Sequence, residues 1–250
     1  MAARLVDFRR IDNIARQKAI DIYIAALNKQ NNAIWAQVKP TLDAVQKEDV
    51  KRIRKEIRNP TSPLDPGYWA DVIASFATSL YNAFLDAATL TVNAHRDWWN
   101  DRGISEGVVH DPGEMTEALL DIIGRQQDFQ GNTIRDYFEN MALDTRDQMA
   151  EKIGHWQMTD ANLDTLIESL ETLFSPLRSS RIAVTESTRL ASAIMISNMQ
   201  QLGYSSWTFY TAQDEIVCPE CSEKHGQKYK VDDLDDWPPI HTNCRCAGVV

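Results

Sequence analysis

The positions of the cysteines constrain this sequence more than any other feature. All four, Cys218, Cys221, Cys244 and Cys246, lie in the last 33 residues, and the first 217 contain none. Cysteines that only fill a core would be scattered along the chain, so their clustering indicates a local function. His241 stands three residues before Cys244. The sequence therefore predicts that the C-terminal end folds around these five side chains.

The spacing of the five residues is typical of a zinc-binding module. Cys218 and Cys221 form a C-x-x-C pair, whose thiolates can reach one ion at about 2.3 Å. After a gap of 19 residues, which suits a hairpin, His241, Cys244 and Cys246 offer an imidazole and two thiolates. Four ligands complete a tetrahedral structural site, and Cys218, Cys221, His241 and Cys244 are favoured because the last two repeat the two-residue spacing. Cys246 could replace either of these two, since positions 244 and 246 would face the same side of a strand.

Other cysteine chemistries fit the sequence less well. The first residues carry charges throughout and no apolar stretch of the secretory type, so a reducing compartment is expected and two disulfides are the weaker alternative. A redox C-x-x-C would need a βαβ pattern around it. The sequence contains neither the H-E-x-x-H of zinc proteases nor an H-x-E ahead of P-C-x-x-C. A closed, structural zinc site is predicted, and the metal would supply the folding energy of a module of about 45 residues.

Apolar periodicity and helix-ending residues predict a mainly α fold. Asp65-Pro66, Asp111-Pro112, Thr159-Asp160 and Ser175-Pro176 are typical of helix starts, and Gly203 is typical of a left-handed helix end. The predicted helices span residues 3–30, a second segment that Pro40 starts or interrupts, 67–100, 112–126, 130–153, 160–174 and 176–203. Residues 207–211, aromatic and β-branched, are predicted to form a strand.

The predicted architecture is a multi-helix body followed by a small C-terminal β-hairpin zinc-binding module. Three regions are expected: a basic N-terminal helical region (1–60), a helical body (61–175), and a last long helix with the module (176–250). The apolar fraction of 43% is ordinary for a globular domain. No stretch approaches the roughly 18 consecutive apolar residues of a membrane helix, so no membrane partner is expected.

Charge is distributed unevenly along the chain. Residues 1–60 hold 13 Lys and Arg against 7 Asp and Glu, whereas the rest hold 13 against 29, in a chain of net charge −10. The basic run consists of Lys51, Arg52, Arg54, Lys55 and Arg58. Such a region suggests contact with something negative: nucleic acid, an acidic partner or the acidic remainder of the chain. A solvated helix face is the plain alternative.

A polar stripe is predicted on the last long helix. Arg178, Arg181, Thr185 and Arg189 recur at helical spacing, and Glu186 lies close to Arg189. Leu177, Leu190 and Ile194 are among the residues expected on the opposite, core-facing side. The stripe is either solvated, with an intrahelical ion pair, or it holds the zinc module against the helical body.

These motifs together resemble the phage Mu-like head morphogenesis family. The resemblance rests on R-I-A-x-T-E-x-x-R from Arg181, on Gly203, Trp207 and Asp214, on C-P-x-C, on Gly226, and on the terminal H-x-x-C-R-C. It runs from about Thr159 to Cys246, and residues 1–150 have no counterpart. Val184 stands where the family often has Arg, and Lys224-His225 precede Gly226 where it tends to have an apolar residue. The first departure puts one position of the stripe in doubt, and neither touches a predicted ligand.

The resemblance implies a structural role in a virion. Such minor head proteins occur in few copies, associate with the portal, assist procapsid and head assembly together with capsid and scaffold proteins, and in some cases bind double-stranded DNA. They are not known as catalysts, so no small-molecule substrate is expected. The expected location is the virion interior near the portal, and the host cytoplasm during assembly.

Two other functions are consistent with parts of the sequence. A nucleic-acid-binding protein unrelated to capsids would use the basic run and the zinc module, but the module is acidic and acidic fingers bind phosphate poorly. A toxin-associated module is the second, because modules of this family are also found fused to toxin domains. His95, His110 and His155 lack a spaced acid, Ser or Cys partner, so they do not suggest a catalytic site.

Overall fold

The described part of the chain is mainly helical, with a small sheet near the carboxyl terminus. The computed structural model describes residues 2–46, 55, 59, 62–63, 65, 68, 70–101, 134–159, 162–212 and 216–250. The helices are α1 (Ala2–Gln46), α2 (Ala70–Asn100), α3 (Ile134–Met158), α4 (Leu163–Glu171), α5 (Pro176–Gln201) and α6 (Pro219–Lys224). The strands are β1 (Ser206–Tyr210), β2 (Lys228–Lys230) and β3 (Ala247–Val249), and 3-10 turns span Thr172–Phe174 and Leu234–Asp236. The predicted mainly α class is confirmed.

Both ends of α5 follow the rules used to predict them. The hydroxyl of Ser175 accepts a hydrogen bond from the Arg178 amide at 3.3 Å, and Pro176 occupies the first helical position. At the other end, Gly203 has a φ of 74°, and the Tyr204 amide donates to the Met199 carbonyl at 2.9 Å. This is the left-handed stop expected at Gly203.

The first helix is longer than predicted. Pro40 neither starts nor ends a segment, because it lies inside α1, which continues to Gln46. The apolar face continues across it, since Val38 and Leu42 are both fully buried. Burial on both sides of the proline therefore outweighs the local preference for a break.

The start of α4 was also predicted wrongly. Thr159-Asp160 does not cap it; instead Asn162 is the N-cap, and its side-chain oxygen accepts a hydrogen bond from the Thr165 amide at 2.9 Å. Asn and Asp cap helices equally well, because the side-chain oxygen of either residue can accept a hydrogen bond from a first-turn amide. The helix predicted over 112–126 lies outside the described residues.

The chain divides into two compact units. One comprises Met1–Tyr23, Ala83–Asn132 and Ser180–Val250, and the other comprises Ile24–Asn82 and Thr133–Ser179. In the first unit, the core of α5 includes Leu190, Ile194 and Met199, all at most 1% exposed. Leu177, predicted to be core, is instead 63% exposed at the start of α5. The second unit has its own core, which includes Leu27, Val38, Leu80, Phe138, Met149, Leu166 and Leu170.

The C-terminal sheet is three-stranded and antiparallel rather than a simple hairpin. β1 lies in the centre, with Trp207 opposite Tyr229 of β2 and Phe209 opposite Gly248 of β3. The hairpin prediction omitted β3, which is formed by the three residues directly after Cys246. The strand that follows the ligands therefore returns to the strand that precedes them.

Stacked aromatic side chains form the small core of this sheet. The rings of Trp207 and Trp237 lie 4.1 Å apart, and those of Trp207 and Tyr229 lie 5.1 Å apart. The indole N–H groups are satisfied by main-chain carbonyls: Trp207 donates to Lys230 at 3.0 Å and Trp237 to Val231 at 3.2 Å. This core fixes the two chain segments that carry the cysteines.

Among the helices in the described ranges, none combines the length and the apolarity that a membrane span requires.

Candidate metal centre

The first two thiols are positioned by the start of α6. Cys218 is the N-cap residue and Pro219 follows at the first helical position, so the chain turns sharply at the motif. The Cys221 amide donates to the Cys218 sulfur at 3.3 Å. One turn of helix thus brings Cys221 back beside Cys218, with Cys221 buried and Cys218 half-buried.

His241 presents one ring nitrogen to these thiols. Its Nδ1 lies 2.8 Å from the Thr242 carbonyl, which can only accept, so Nδ1 carries the proton in the neutral ring. Nε2 then bears the lone pair, at 3.2 Å from the Cys218 sulfur and 3.1 Å from the Cys221 sulfur. A carbonyl that holds Nδ1–H in this way is the usual support of a metal-binding histidine.

Cys244 and Cys246 reach the same place from a tight turn. Asn243 adopts a φ of 65°, a left-handed conformation that Asn tolerates better than most residues. The Cys244 sulfur lies 3.9 Å from that of Cys221. The ligand atoms form two overlapping groups, Cys218–Cys221–His241 and Cys221–Cys244–Cys246, in each of which all atoms lie within 4.8 Å of one another. Cys221 belongs to both groups, and all five predicted ligands lie in one cluster.

The distances in the cluster are close to those of a tetrahedral zinc site. Two sulfurs at about 2.3 Å from one zinc ion are about 3.8 Å apart, and a sulfur and an imidazole nitrogen are about 3.6 Å apart. The Cys221–Cys244 separation of 3.9 Å and the His241 separations of 3.1 and 3.2 Å are similar. Cys244 lies outside the first close group, so coordination by Cys218, Cys221, His241 and Cys244 together would require Cys244 to move towards that group.

The protonation behaviour of the thiols favours a cation among them. Hydrogen bonding with Cys246 lowers the pKa of Cys244 to about 5, although burial opposes this shift. The same interaction, together with burial, raises the pKa of Cys246. Burial, and then the neighbouring Cys244, raise the pKa of Cys221. The Cys221 amide lowers the pKa of Cys218. Ionisation of Cys221, Cys244 and Cys246 together is therefore unfavourable, and a divalent ion bound among them would offset the repulsion.

The pKa of His241 is also shifted in the direction that favours positive charge. Burial opposes protonation, but the Thr242 carbonyl and then Cys244 and Cys218 together raise the pKa of His241. Of these groups, the Thr242 carbonyl lies at Nδ1, whereas the Cys218 sulfur lies 3.2 Å from Nε2. A metal ion bound at Nε2 would be stabilised by that sulfur, because it would take the place of a proton there.

Residues that the sequence analysis missed hold the second half of the cluster. Thr188 on α5 donates its hydroxyl hydrogen to the Cys244 carbonyl at 2.7 Å, and Arg16 on α1 donates from Nη1 to the Cys246 carbonyl at 2.8 Å. Asp12 Oδ2 forms an ion pair with Arg16 Nε at 2.7 Å, and its Oδ1 lies 3.1 Å from His95 Nε2. The i, i+4 spacing of Asp12 and Arg16, on a helix face that is otherwise apolar, was the available signal.

The five residues of the predicted stripe lie in different surroundings. Arg178 donates to the Leu173 carbonyl and to the Thr145 hydroxyl, whereas Arg181 is exposed. Thr185 Oγ1 accepts a hydrogen bond from the Asn243 amide at 2.8 Å. Glu186 and Arg189 form a buried ion pair at 3.2 Å. Because Glu186 and Arg189 are buried, the stripe is not a uniformly solvated face. Its role in holding the module against the helical body stays a prediction.

Four of the five residues of the basic run lie outside the described residues: Lys51, Arg52, Arg54 and Arg58. The fifth, Lys55, is exposed. The contact with DNA or with the portal assigned to these five residues therefore stays a prediction.

Comparison with known proteins identifies one family. Residues 142–249 match the family model described as Phage Mu protein F like protein. The matched segment covers α5, the sheet and the whole cysteine–histidine cluster, and amounts to less than half of the 250 residues. No curated protein and no solved structure shows a significant match. The resemblance predicted from the sequence motifs is thereby confirmed over residues 142–249, which are similar to this Mu-like family.

Proposed function

We propose that this chain is a phage minor head protein that acts in head assembly, associates with the portal, and folds its C-terminal module around a structural zinc ion. The observation that carries the proposal is the family match, which includes α5 and every residue of the cysteine–histidine cluster. The family is one of structural head proteins and is not known for catalysis. The role is therefore to hold other proteins, and not to transform a substrate.

The proposed zinc ligands are Cys218, Cys221, His241 and Cys244. Three of them form one of the two close groups, and Cys244 lies 3.9 Å from the shared Cys221. Cys246 is the alternative fourth ligand, because it belongs to the second group. Four protein ligands leave no open coordination position, which is the arrangement of structural sites and not of catalytic ones.

Metal content of the purified chain tests this part. We expect about one zinc per chain, lost in Cys218→Ser and in His241→Ala. His155→Ala is the matched control, because His155 is an exposed histidine at the end of α3, outside both ligand groups. Retention of zinc in Cys246→Ser and its loss in Cys244→Ser would support the proposed set, and the reverse would assign Cys246. A zinc-free chain with its thiols oxidised in pairs would refute a metal site.

Portal association is tested by co-expression. The portal protein of the same phage, carrying an affinity tag, is expected to retain this chain through gel filtration. A complex that fails to form at low and at moderate salt would refute the portal role. The alternative function, a toxin-associated module, would then be favoured, since it requires no portal contact.

A contact with packaged DNA is proposed for the basic run and tested separately. Neutralising Lys51 and Arg52 with glutamine should weaken DNA binding at low salt and reduce its salt dependence, because fewer counterions are released. The control is neutralisation of Lys228 and Lys230, two exposed lysines of β2. Unchanged DNA and portal binding after removal of residues 51–58 would exclude the basic run from both contacts.

A further inference from the structure

The segment that carries the last two thiols is held by helices through its main chain. The Asn243 amide donates to Thr185 Oγ1 at 2.8 Å, Thr188 donates to the Cys244 carbonyl at 2.7 Å, and Arg16 donates to the Cys246 carbonyl at 2.8 Å. The bonds of Thr188 and Arg16 are buried. Main-chain bonds at alternate residues fix where Cys244 and Cys246 lie, whichever of them binds the metal.

Arg16 is itself fixed by a buried network that joins two helices. Arg16 and Asp12 on α1 pair at 2.7 Å, and His95 on α2 lies 3.1 Å from the other Asp12 oxygen. All three residues are at most 8% exposed. A guanidinium removed from water requires such partners, and the Cys246 carbonyl is one of them. The docked module thus supplies a main-chain hydrogen-bond acceptor to a charge inside the helical core.

We propose that Thr188 and Arg16 are positioning residues for the metal centre, and that metal binding is coupled to docking of residues 243–246 on α1 and α5. This inference rests on the proposed zinc site. Without metal, a module with so small a core does not hold one conformation. The two hydrogen bonds then form mainly in the metal-bound state, so their free energy adds to the apparent metal affinity. By thermodynamic reciprocity, bound metal also stabilises the contact of residues 243–246 with α1 and α5.

A purely structural role for these bonds predicts a different result. If the module were docked equally well with and without metal, the bonds would be present in both states. Their removal would then lower the stability of the protein but leave the metal affinity unchanged. The zinc affinity of the variants therefore distinguishes coupling between metal binding and docking from simple packing, whereas a melting temperature alone does not.

Zinc affinity of the full chain, measured by competition with a chelator of known affinity, is the first test. Thr188→Val keeps the shape of the side chain and removes the donor, so zinc affinity should fall several-fold to about tenfold. Thr188→Ser should restore most of the affinity, because it keeps the hydroxyl. Thr91→Val is the matched control: Thr91 is an equally buried threonine whose hydroxyl bonds within α2, to the Ala87 carbonyl.

The outcomes are distinguishable. A wild-type chain that binds no zinc would refute the proposed metal site itself. A wild type that binds zinc, with the same affinity in Thr188→Val, would refute the coupling and leave the site intact. Equal losses in Thr188→Val and Thr91→Val would also refute it, because any buried threonine would then serve. Loss in Thr188→Val alone, with recovery in Thr188→Ser, supports it.

Hydrogen exchange tests the reciprocal effect without a mutation in the core. In the zinc-loaded chain, amides of residues 12–23 of α1 should exchange slowly, and removal of zinc should increase their exchange rate at least several-fold. Arg16→Lys, which keeps the charge but loses the fork of donors, should reduce the difference between the two states. Equal exchange of residues 12–23 with and without zinc would overturn the coupling.

Discussion

Gly248 lies where no side chain fits. A Cβ atom built there would overlap the indole ring of Trp237, with Cη2 and Cε3 at 2.7 and 2.8 Å. That ring is stacked on Trp207 and is 2% exposed, so it cannot move aside without opening the aromatic core. Glycine is required here for close packing and not for backbone conformation.

Gly248→Ala is therefore expected to lower the free energy of unfolding by about 1–3 kcal/mol, the usual range for overpacking a core. Denaturant unfolding followed by tryptophan fluorescence measures this. Gly154→Ala is the control, because a Cβ at Gly154 in α3 has nothing within 4 Å. That variant should gain about 0.5–1 kcal/mol from its higher helix propensity. If Gly248→Ala were as stable as the wild type, the close contact with Trp237 would be wrong.

At the scale of elements, the buried Asp12 connects α1 with α2 and with the module. Burial alone would raise the pKa of Asp12, but Arg16 and then His95 lower it below its ordinary value of 3.8. A lowered carboxyl pKa stabilises the fold above the ordinary value, and this stabilisation is lost as the pH falls through the lowered one. The network should therefore fail only in acid, below about pH 4.

Asp12→Asn should lower the free energy of unfolding at pH 7 by about 3–5 kcal/mol, because it leaves Arg16 as a buried charge without its counterion. The loss should shrink as the pH falls below about 4, where the wild type loses the same interaction. Urea unfolding at a series of pH values measures both effects. Asp21→Asn, an exposed carboxylate on the same helix, should change stability by less than about 0.5 kcal/mol. A pH-independent loss in Asp12→Asn would contradict the assignment.

Pro40 lowers the local stability of α1. It is exposed, inside the helix, and lacks the amide that would bond to the Ala36 carbonyl. Pro40→Ala should raise the free energy of unfolding by about 1–3 kcal/mol, since alanine is about 3 kcal/mol better in a helix interior. Thermal melting followed by circular dichroism measures the gain. Ala33→Pro, at another exposed position of the helix, should have the opposite effect, and a less stable Pro40→Ala would show that the proline is needed where it stands.

For the whole molecule, metal removal should separate the module from the helices. A strong chelator should abolish the near-UV circular dichroism of the stacked Trp207 and Trp237 while most of the far-UV helical signal remains. The reason is that the helices have their own buried cores, whereas the core of the module is small and built around a few stacked rings. Added zinc should restore the near-UV signal. Simultaneous loss of both signals would show that the chain unfolds as one cooperative unit.

Local chemistry was enough to predict several parts of the protein. The spacing of Cys218, Cys221, His241 and Cys244 predicted a metal cluster, because ligand geometry restricts how a chain can turn between ligands. Ser175-Pro176 and Gly203 predicted both ends of α5, because helix termini depend on residues within one turn. The mainly α class followed from apolar periodicity.

Other parts were decided by contacts between distant segments. That Pro40 lies within a continuous helix depends on burial of Val38 and Leu42, which no local rule reveals. The third strand exists because Gly248 admits the Trp237 ring beside it. The hydrogen bond between Arg16 and Cys246 joins residues 230 positions apart. Sequence spacing determined which atoms could bind a metal, whereas only the tertiary structure decided what holds them, since hydrogen bonds to main-chain carbonyls leave no mark in the sequence of the segment that accepts them.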